Sequence, residues 1–298
     1  MHEVVDFSVL PEGCISIILS FTSPRDACVL SLVSLTFKSA ADSDVVWEKF
    51  LPSDYKDIVN NSVSTINSNN FPSKKELYFH LCDIPLLLQE GKQSLTLERK
   101  SGKKCFMIGA KELDITWGDN PQYWKWNSHS ESRFGDVAEL LSVCWLNIKG
   151  IFNTQVLSPK TIYAVYMVIK FSENTYGLDH PAADVKVEFV GGGGVSSGGR
   201  SVYLDPECNR RPGVQHVPHR LGLLRRRFGH ILRPAFPRQG YFPSERKDGW
   251  MEIELGQFYN DQGEDGEVEM GLSEIKSGHW KAGLIVQGIE LRPRNNTT

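Results

Sequence analysis

The sequence predicts an α+β multidomain protein in which a small all-α domain is followed by a larger all-β antiparallel sandwich domain. From Ser8 to Leu51, apolar residues recur at helical spacing between clear start and stop signals. After Gly91 the apolar period changes to that of strands, and Gly, Pro and Asn separate many short runs. A chain of 298 residues with 40% apolar and 23% charged residues has the composition of a globular protein and room for two domains.

The first two helices are predicted from their caps. Behind a cap at Ser8, helical spacing is shown by Leu10, Cys14, Ile17, Ile18 and Phe21. Ser23 followed by Pro24 offers an N-cap with proline at the first helical position, so we expect a second helix from Pro24 toward Ser34.

Two shorter helices and a linker follow. Residues 36–41 give one or two further turns, and Ser43 caps a last helix that Pro52 ends. Residues 56–72 are polar and aperiodic, which is typical of a loop or linker.

The next helix is predicted from a capping box. Ser73 and Glu76 have the required spacing, and the helix runs through Leu81, with a possible extension to Leu88. We expect this helix to bridge the two domains.

The second half of the chain reads as short strands. A Lys-Ser-Gly-Lys turn, residues 100–103, separates the first two predicted strands. The predicted strands are residues 95–98, 105–108, 113–117, 144–152, 162–171, 185–190, 201–204, 251–255, 268–275 and 284–291.

Charge and cysteine usage exclude several classes of protein. A net charge of -3 and a pI near 6.3 argue against a surface devoted to nucleic acid or anionic membrane. The first nine residues do not resemble a secretory signal, and no apolar run approaches the ~20 residues that span a bilayer.

Six cysteines without a CxxC pair indicate reduced thiols, and we expect the cytoplasm and nucleus as the location. No cofactor or metal is expected.

A basic segment, residues 210–238, carries arginines and histidines with few acids. A nuclear-localisation or RNA-binding patch is one interpretation. Four prolines break any recognition helix within it, so a solvated basic loop is the preferred interpretation.

Fifty helical residues carry more apolar side chains than one small core needs, which indicates a partner surface. The segment resembles an F-box through Leu10-Pro11-Glu12, Ile15, Ile18-Leu19, Pro24-Arg25-Asp26, Leu30, Val33-Ser34, Phe37, Ala41 and Trp47. The resemblance implies docking to the Skp-type adaptor of cullin ubiquitin ligases, with adaptor contacts at Leu10, Pro11, Ile15, Leu19 and Leu30. The alternative is that any one of these residues belongs to the core of the protein.

Two stretches of the strand-rich part have the chemistry of a sugar site, because sugars stack on aromatic planes and donate hydroxyls to carboxylates and amides. Residues 115–126 hold four aromatic residues beside an Asp-Asn-Pro turn, with Trp124 expected to be exposed and Trp117 and Trp126 open to a core interpretation. Residues 263–274 begin as an acidic turn and continue as a strand. Because Glu267 and Glu274 have opposite parity, a shared face requires a bulge near Gly271 or a place for Glu267 in the turn.

These stretches resemble the plant phloem-lectin (Nictaba-like, phloem protein 2-like) family from about residue 103 to residue 293. Matching segments are residues 113–117, 119–124, 137–140, 163–166, 248–250, 263–270, 280–283 and 289–293. The resemblance implies a β-sandwich that recognises N-acetylglucosamine oligomers or the core of N-glycans. It places the binding residues at Trp117, Trp124, Glu267 and Glu274.

The two resemblances together predict an F-box domain at residues 1–52, a linker and bridging helix at 53–100, a lectin domain at 101–293 and a tail at 294–298. One hypothesis is a non-catalytic substrate receptor of an SCF-type ubiquitin ligase that selects glycosylated proteins. The second is a receptor that recognises a protein surface through a degenerate lectin scaffold. Exposed Trp117 and Trp124 beside an acid favour the first, and buried tryptophans favour the second.

Overall fold

The computed structural model describes residues 10–63, 71–192, 199–205, 241–263 and 266–294. Within them the chain divides between Met107 and Ile108 into two compact units, one mostly helical and one made of strands. The predicted α+β class, helices first and antiparallel strands after them, is confirmed.

In its described residues the helical unit contains six α-helices, followed by the first strands. The helices are α1 (Glu12–Leu19), α2 (Pro24–Leu30), α3 (Leu35–Asp42), α4 (Asp44–Phe50), α5 (Tyr55–Asn60) and α6 (Lys74–Asp83). They are followed by β1 (Leu86–Leu88), β2 (Gln93–Leu97) and β3 (Lys104–Gly109), which continues into the second unit.

Serine side chains begin three of the helices as predicted. Ser23, Ser43 and Ser73 each accept a backbone N–H of the first turn, at 3.1, 3.4 and 3.2 Å. The N-cap position of α1 is Pro11, and no side chain of the described residues caps this helix. Ser8 lies outside the described residues.

Tertiary packing shortens or adds helices where local patterns are ambiguous. α2 ends at Leu30 rather than near Ser34, and α6 ends at Asp83 because residues 86–88 form strand β1. Part of the predicted linker is helix α5, whose Tyr55 and Val59 are buried at 3% and 1% exposure. Burial of two apolar side chains stabilises a helix that its polar neighbours do not predict.

Trp47 is the centre of the helical core. It is fully buried, its ring lies 5.5 Å from Phe50 and 5.1 Å from Tyr78, and its Nε1 donates to the Ala41 carbonyl at 2.6 Å. The indole therefore fills the core while its one polar atom is satisfied.

The second unit consists of two antiparallel sheets. The remaining strands are β4 (Asp114–Ile115), β5 (Trp124–Ser128), β6 (Asp136–Leu140), β7 (Leu146–Asn153), β8 (Thr161–Tyr176), β9 (Ala183–Phe189), β10 (Arg200–Val202), β11 (Ser244–Glu245), β12 (Met251–Asn260), β13 (Glu267–Glu274) and β14 (Ala282–Pro293). The first sheet has the order β14-β8-β12-β11, with β6 beside β14 and β5 beside β6; the second has the order β10-β9-β13-β7-β4.

The two sheets pack face to face through alternating side chains. In β13 the buried residues Val268, Met270 and Leu272 alternate with less buried neighbours. Across the core, Phe189 of β9 meets Phe258 of β12 with ring centroids 5.7 Å apart. This layer architecture is that of a β-sandwich.

A charged network lies at β14 of the first sheet. Glu290, 3% exposed, forms ion pairs with Arg133 at 2.9 Å and Arg246 at 2.7 Å and lies 3.6 Å from Arg292. Burial alone raises the pKa of Glu290, but the three guanidinium groups hold its pKa below the ordinary value. The carboxylate is therefore ionised and fully paired.

Candidate functional site

The five predicted partner contacts of the helical unit have different environments. Ile15 and Leu19 are each 1% exposed, so they belong to the core of the unit and do not present a surface to a partner. They lie on the inner side of α1, where helical spacing brings them together. Leu10 and Leu30 are half-buried, and Pro11 is exposed.

A different set of apolar side chains lies on the surface of this unit. We call it the helical apolar surface: Ile17 (53% exposed), Ile18 (45%), Phe21 (82%), Val29 (57%), Leu32 (84%), Val33 (64%) and Leu35 (85%). The sequence signal for it was the excess of apolar residues over the needs of one small core. Which residues form it depends on how the helices pack. Helix α3 packs against both α1 and α2, and so many exposed apolar side chains on neighbouring helices are typical of an interaction site.

An open groove of about 590 Å³ adjoins this surface. Val29 and Leu32 line it together with the basic side chains of Arg25, Arg99 and Lys100. The groove is therefore lined by both apolar and positively charged side chains.

In the sandwich, Trp117 stands on a turn just after β4. It is 42% exposed, its ring centroid lies 5.1 Å from that of Tyr123, and its φ of 60° is in the left-handed region. A bulky residue rarely adopts this φ, and strained positions cluster at binding sites. The exposed indole expected of Trp117 in a ligand site is present.

The expectation that Trp124 is exposed is wrong. Trp124 begins β5, is 2% exposed, and its Nε1 donates to the carbonyl of Thr116 at 3.1 Å. Trp126 donates in the same way to the carbonyl of Gly118 at 2.9 Å. The two indoles therefore hold the turn on either side of Trp117, and Trp124 acts as a positioning residue for it.

Glu274 is also buried, at 5% exposure, and its oxygens are occupied. Oε1 accepts the backbone N–H groups of Lys276 and Ser277 at 3.2 and 3.0 Å. Oε2 accepts the Ser277 hydroxyl at 2.8 Å and pairs with the buried ammonium of Lys281. Burial alone raises the pKa of Glu274, but the hydrogen bonds from Lys281 and Ser277 outweigh it and lower the pKa. Glu274 therefore holds the loop of residues 275–281 in place.

Glu267 lies at the other end of the same strand. Eight paired residues of β13 run from Glu267 to Glu274 without a register shift against β7, so neither condition for a shared face is met. Seven steps of about 3.3 Å separate the two by about 23 Å. The structure thus does not bring Glu267 to the end that carries Trp117 and Glu274.

Two exposed tryptophans missed by the sequence reasoning lie at that same end. Trp145, just before β7, is 47% exposed, and Trp280, at the end of the 275–281 loop, is 54% exposed. Each stands at a strand end, a position that gives no periodicity signal. We call Trp117, Trp145 and Trp280 the tryptophan rim.

Other expectations concern sites of a different kind. No cluster of His, Cys, Asp and Glu able to hold a metal occurs in the described part of the chain. No described helix is long and apolar enough to cross a membrane. The basic segment of residues 210–238 lies outside the described residues.

Comparison with protein families matches the two halves of the chain separately. The F-box domain family matches residues 7–49, and the Phloem protein 2 family matches residues 103–293.

Similar proteins share both halves. An F-box protein of Arabidopsis thaliana is 47% identical over 96% of this chain and 80% of its own length. F-box protein PP2-B10 of the same plant is 45% identical over 98% of this chain and 95% of its own. F-box protein PP2-B1, also of Arabidopsis thaliana, is 41% identical over 97% of this chain and 90% of its own length. Among solved structures, a GH26-CBM35 mannanase of Podospora anserina aligns with a TM-score of 0.33 over 65% of this chain and 28% of that chain, at 9% identity.

Proposed function

This chain belongs to the F-box proteins that carry a C-terminal phloem protein 2 domain, and on that premise we propose that it is a substrate receptor of a cullin-type (SCF) ubiquitin ligase. In this proposal the F-box binds a Skp-type adaptor, and the sandwich selects the target by its N-acetylglucosamine oligomers or N-glycans. The receptor forms and breaks no covalent bonds itself, because ubiquitin transfer is the task of the other ligase subunits.

The observation that carries the adaptor proposal is the helical apolar surface. Phe21, Leu32 and Leu35 are each more than four-fifths exposed, which is costly in water unless a partner covers them. Burying one such side chain in an interface contributes about 1.5–3 kcal/mol. The adjoining groove is lined in part by Arg25, Arg99 and Lys100, whose positive charges suit an acidic partner segment.

Co-purification of the full chain with a Skp-type adaptor tests this step. We expect Leu32→Asp and Leu35→Asp each to reduce adaptor capture at least about tenfold, because a carboxylate would be desolvated in the interface. Both residues are almost fully exposed, so folding is expected to be unchanged, as circular dichroism would verify.

Val63→Asp is the matched control, since Val63 is 57% exposed but outside the helical apolar surface. Capture of the control at the wild-type level supports the proposal. Equal capture of all variants, or no capture of the wild type, contradicts it.

Glycan reading is supported by the exposed indole of Trp117 beside an exposed carboxylate, Asp119. An aromatic plane with polar acceptors near it is the arrangement that binds the C–H face and the hydroxyls of a sugar. We expect the full chain to bind immobilised N-acetylglucosamine oligomers, and we expect Trp117→Ala to abolish this binding.

A receptor for a protein surface is the alternative, and three observations favour it. Trp124 is buried, Glu274 is occupied by its own loop, and Glu267 lies at the far end of β13. If the folded wild-type chain binds no glycan but still captures the adaptor, this alternative replaces the glycan-reading proposal.

We propose the cytoplasm and nucleus as the location of the chain. The described cysteines Cys14, Cys28, Cys82 and Cys144 are free thiols, which suits a reducing compartment. A fluorescent fusion of the full chain tests this, and accumulation in the secretory pathway would contradict it.

A further inference from the structure

The tryptophan rim places three exposed indoles at one end of the second sheet. Trp117, Trp145 and Trp280 are 42%, 47% and 54% exposed. Large apolar side chains of this kind are usually covered, and tryptophan is enriched where ligands and partners bind. Only Trp117 has a function in the glycan-reading proposal above.

Backbone hydrogen bonds show that the three indoles stand on neighbouring segments. The N–H of Thr116 donates to the carbonyl of Asn147 at 3.1 Å, which places Trp117 beside the start of β7, next to Trp145. Val143 and Lys281 donate to each other's carbonyls at 2.9 and 2.7 Å, which places Trp280 beside the residues before Trp145. Because hydrogen-bonded neighbours lie about 4.8 Å apart, the three tryptophans stand on adjoining backbone segments at one end of the sheet.

One buried ammonium holds the two newly identified segments together. Lys281 Nζ donates to the carbonyl of His279 at 2.7 Å and to the carbonyl of Cys144 at 3.2 Å. These are the residues just before Trp280 and Trp145. The same ammonium pairs with buried Glu274, which in turn binds the backbone of Ser277. The segments are therefore fixed before any ligand arrives, which reduces the entropy lost on binding.

The rings themselves are free to stack on a ligand. Within the described residues, neither Trp145 nor Trp280 stacks on another aromatic ring. The exposed polar groups of Asp119 and His279 lie two residues after Trp117 and one before Trp280. Aromatic planes interspersed with hydrogen-bonding groups are the arrangement that binds the C–H faces and the hydroxyls of saccharide rings.

We propose that Trp145 and Trp280 extend the site at Trp117 into a platform for an oligosaccharide, each indole stacking on a different sugar ring. This inference rests on the glycan-reading function proposed above. It assigns Glu274 and Lys281 to the support of the platform, and it requires affinity to rise with the length of the oligosaccharide.

Calorimetric titration of the full chain with N-acetylglucosamine and with a long β-linked oligomer of it tests the proposal. We expect Trp280→Ala and Trp145→Ala each to weaken oligomer binding by about three- to tenfold, the effect of one stacking contact. Trp280→Tyr, which retains an aromatic plane, is expected to recover most of the affinity. Tyr259→Ala is the control, because Tyr259 is an exposed aromatic near the end of β12, opposite Ile162 of β8 and away from the rim.

The length dependence separates this inference from the proposed function. The proposal is supported if the oligomer binds more tightly than the monosaccharide and if Trp280→Ala and Trp145→Ala each reduce that difference in affinity. If the wild type binds the oligomer, Trp117→Ala abolishes binding, and the two other alanine variants match wild type, the platform is refuted while glycan reading stands. No binding by the folded wild type refutes both.

Discussion

At the scale of single residues, the conformation of Trp117 links strain to exposure. Its φ of 60° is imposed by the turn that Trp124 and Trp126 hold through their indole N–H groups. A non-glycine residue in this region costs about 1–2 kcal/mol. The strained backbone conformation destabilises the fold, and the indole that it exposes to solvent adds little packing in return. Strain of this kind is typical of residues that serve binding rather than stability.

The backbone strain at position 117 predicts an unusual order of stability. Trp117→Gly is expected to be more stable than Trp117→Ala by about 1 kcal/mol, since only glycine adopts this φ without steric cost. Urea unfolding followed by circular dichroism measures the difference. An alanine variant as stable as the glycine variant would show that the turn relaxes, and both variants are expected to lose glycan binding.

At the scale of elements, each of the two sheets has positions where the backbone of a neighbouring segment lies so close to a glycine that a larger side chain does not fit. In β13, a Cβ added at Gly271 would lie 2.7 Å from the carbonyl oxygen of Ile148 on the neighbouring strand. Helix α1 presents the opposite case, because nothing lies within 4 Å of a Cβ added at Gly13.

These two glycines predict opposite effects of alanine. Gly271→Ala is expected to destabilise the sandwich by about 1–3 kcal/mol, because the β13–β7 ladder must shift. Gly13→Ala is expected to stabilise α1 by about 0.5–1 kcal/mol, because alanine has the higher helix propensity.

Thermal unfolding of the full chain measures both effects. Gly135→Ala is the control in the sandwich unit, where nothing lies within 4 Å of the added Cβ. A destabilisation of the control equal to that of Gly271→Ala would count against the close-approach explanation.

At the scale of the whole molecule, buried ion pairs make the sandwich sensitive to acid. Glu290 and Glu274 both have a pKa below the ordinary value of 4.5. A carboxyl group with a lowered folded pKa contributes its stability above the ordinary pKa and loses it as the pH falls through the folded value. We therefore expect the free energy of unfolding to fall below about pH 4.5.

Glu290→Gln separates this contribution from the other carboxylates. At pH 7 the variant is expected to be less stable by about 3–5 kcal/mol, because Arg133 and Arg246 lose a buried partner. The difference in unfolding free energy between variant and wild type is expected to decrease at acid pH, where Glu290 of the wild type becomes protonated and also loses its charge. Urea unfolding across this pH range tests it, and a gap that does not depend on pH would contradict the assignment.

The sequence predicts more of the fold than of the candidate site. Caps such as Ser23 and Ser73, and strands such as β13, were predictable because each depends on neighbours within a few residues. Strands β5 and β6 were missed, since their hydrogen bonds to each other and to β14 supply order that the local pattern does not show.

The class of fold, the order of the two kinds of domain and the family of the chain could all be predicted from the sequence, because they follow from local periodicity and shared motifs. Which side chains face water depended on how distant parts of the chain pack together. Trp124 and Glu274 are in the interior, and Glu267 is about 23 Å from Glu274 by strand rise. Trp145 and Trp280 stand on segments that adjoin the turn of Trp117. Burial and adjacency depend on contacts between residues far apart in the chain, which no local pattern contains.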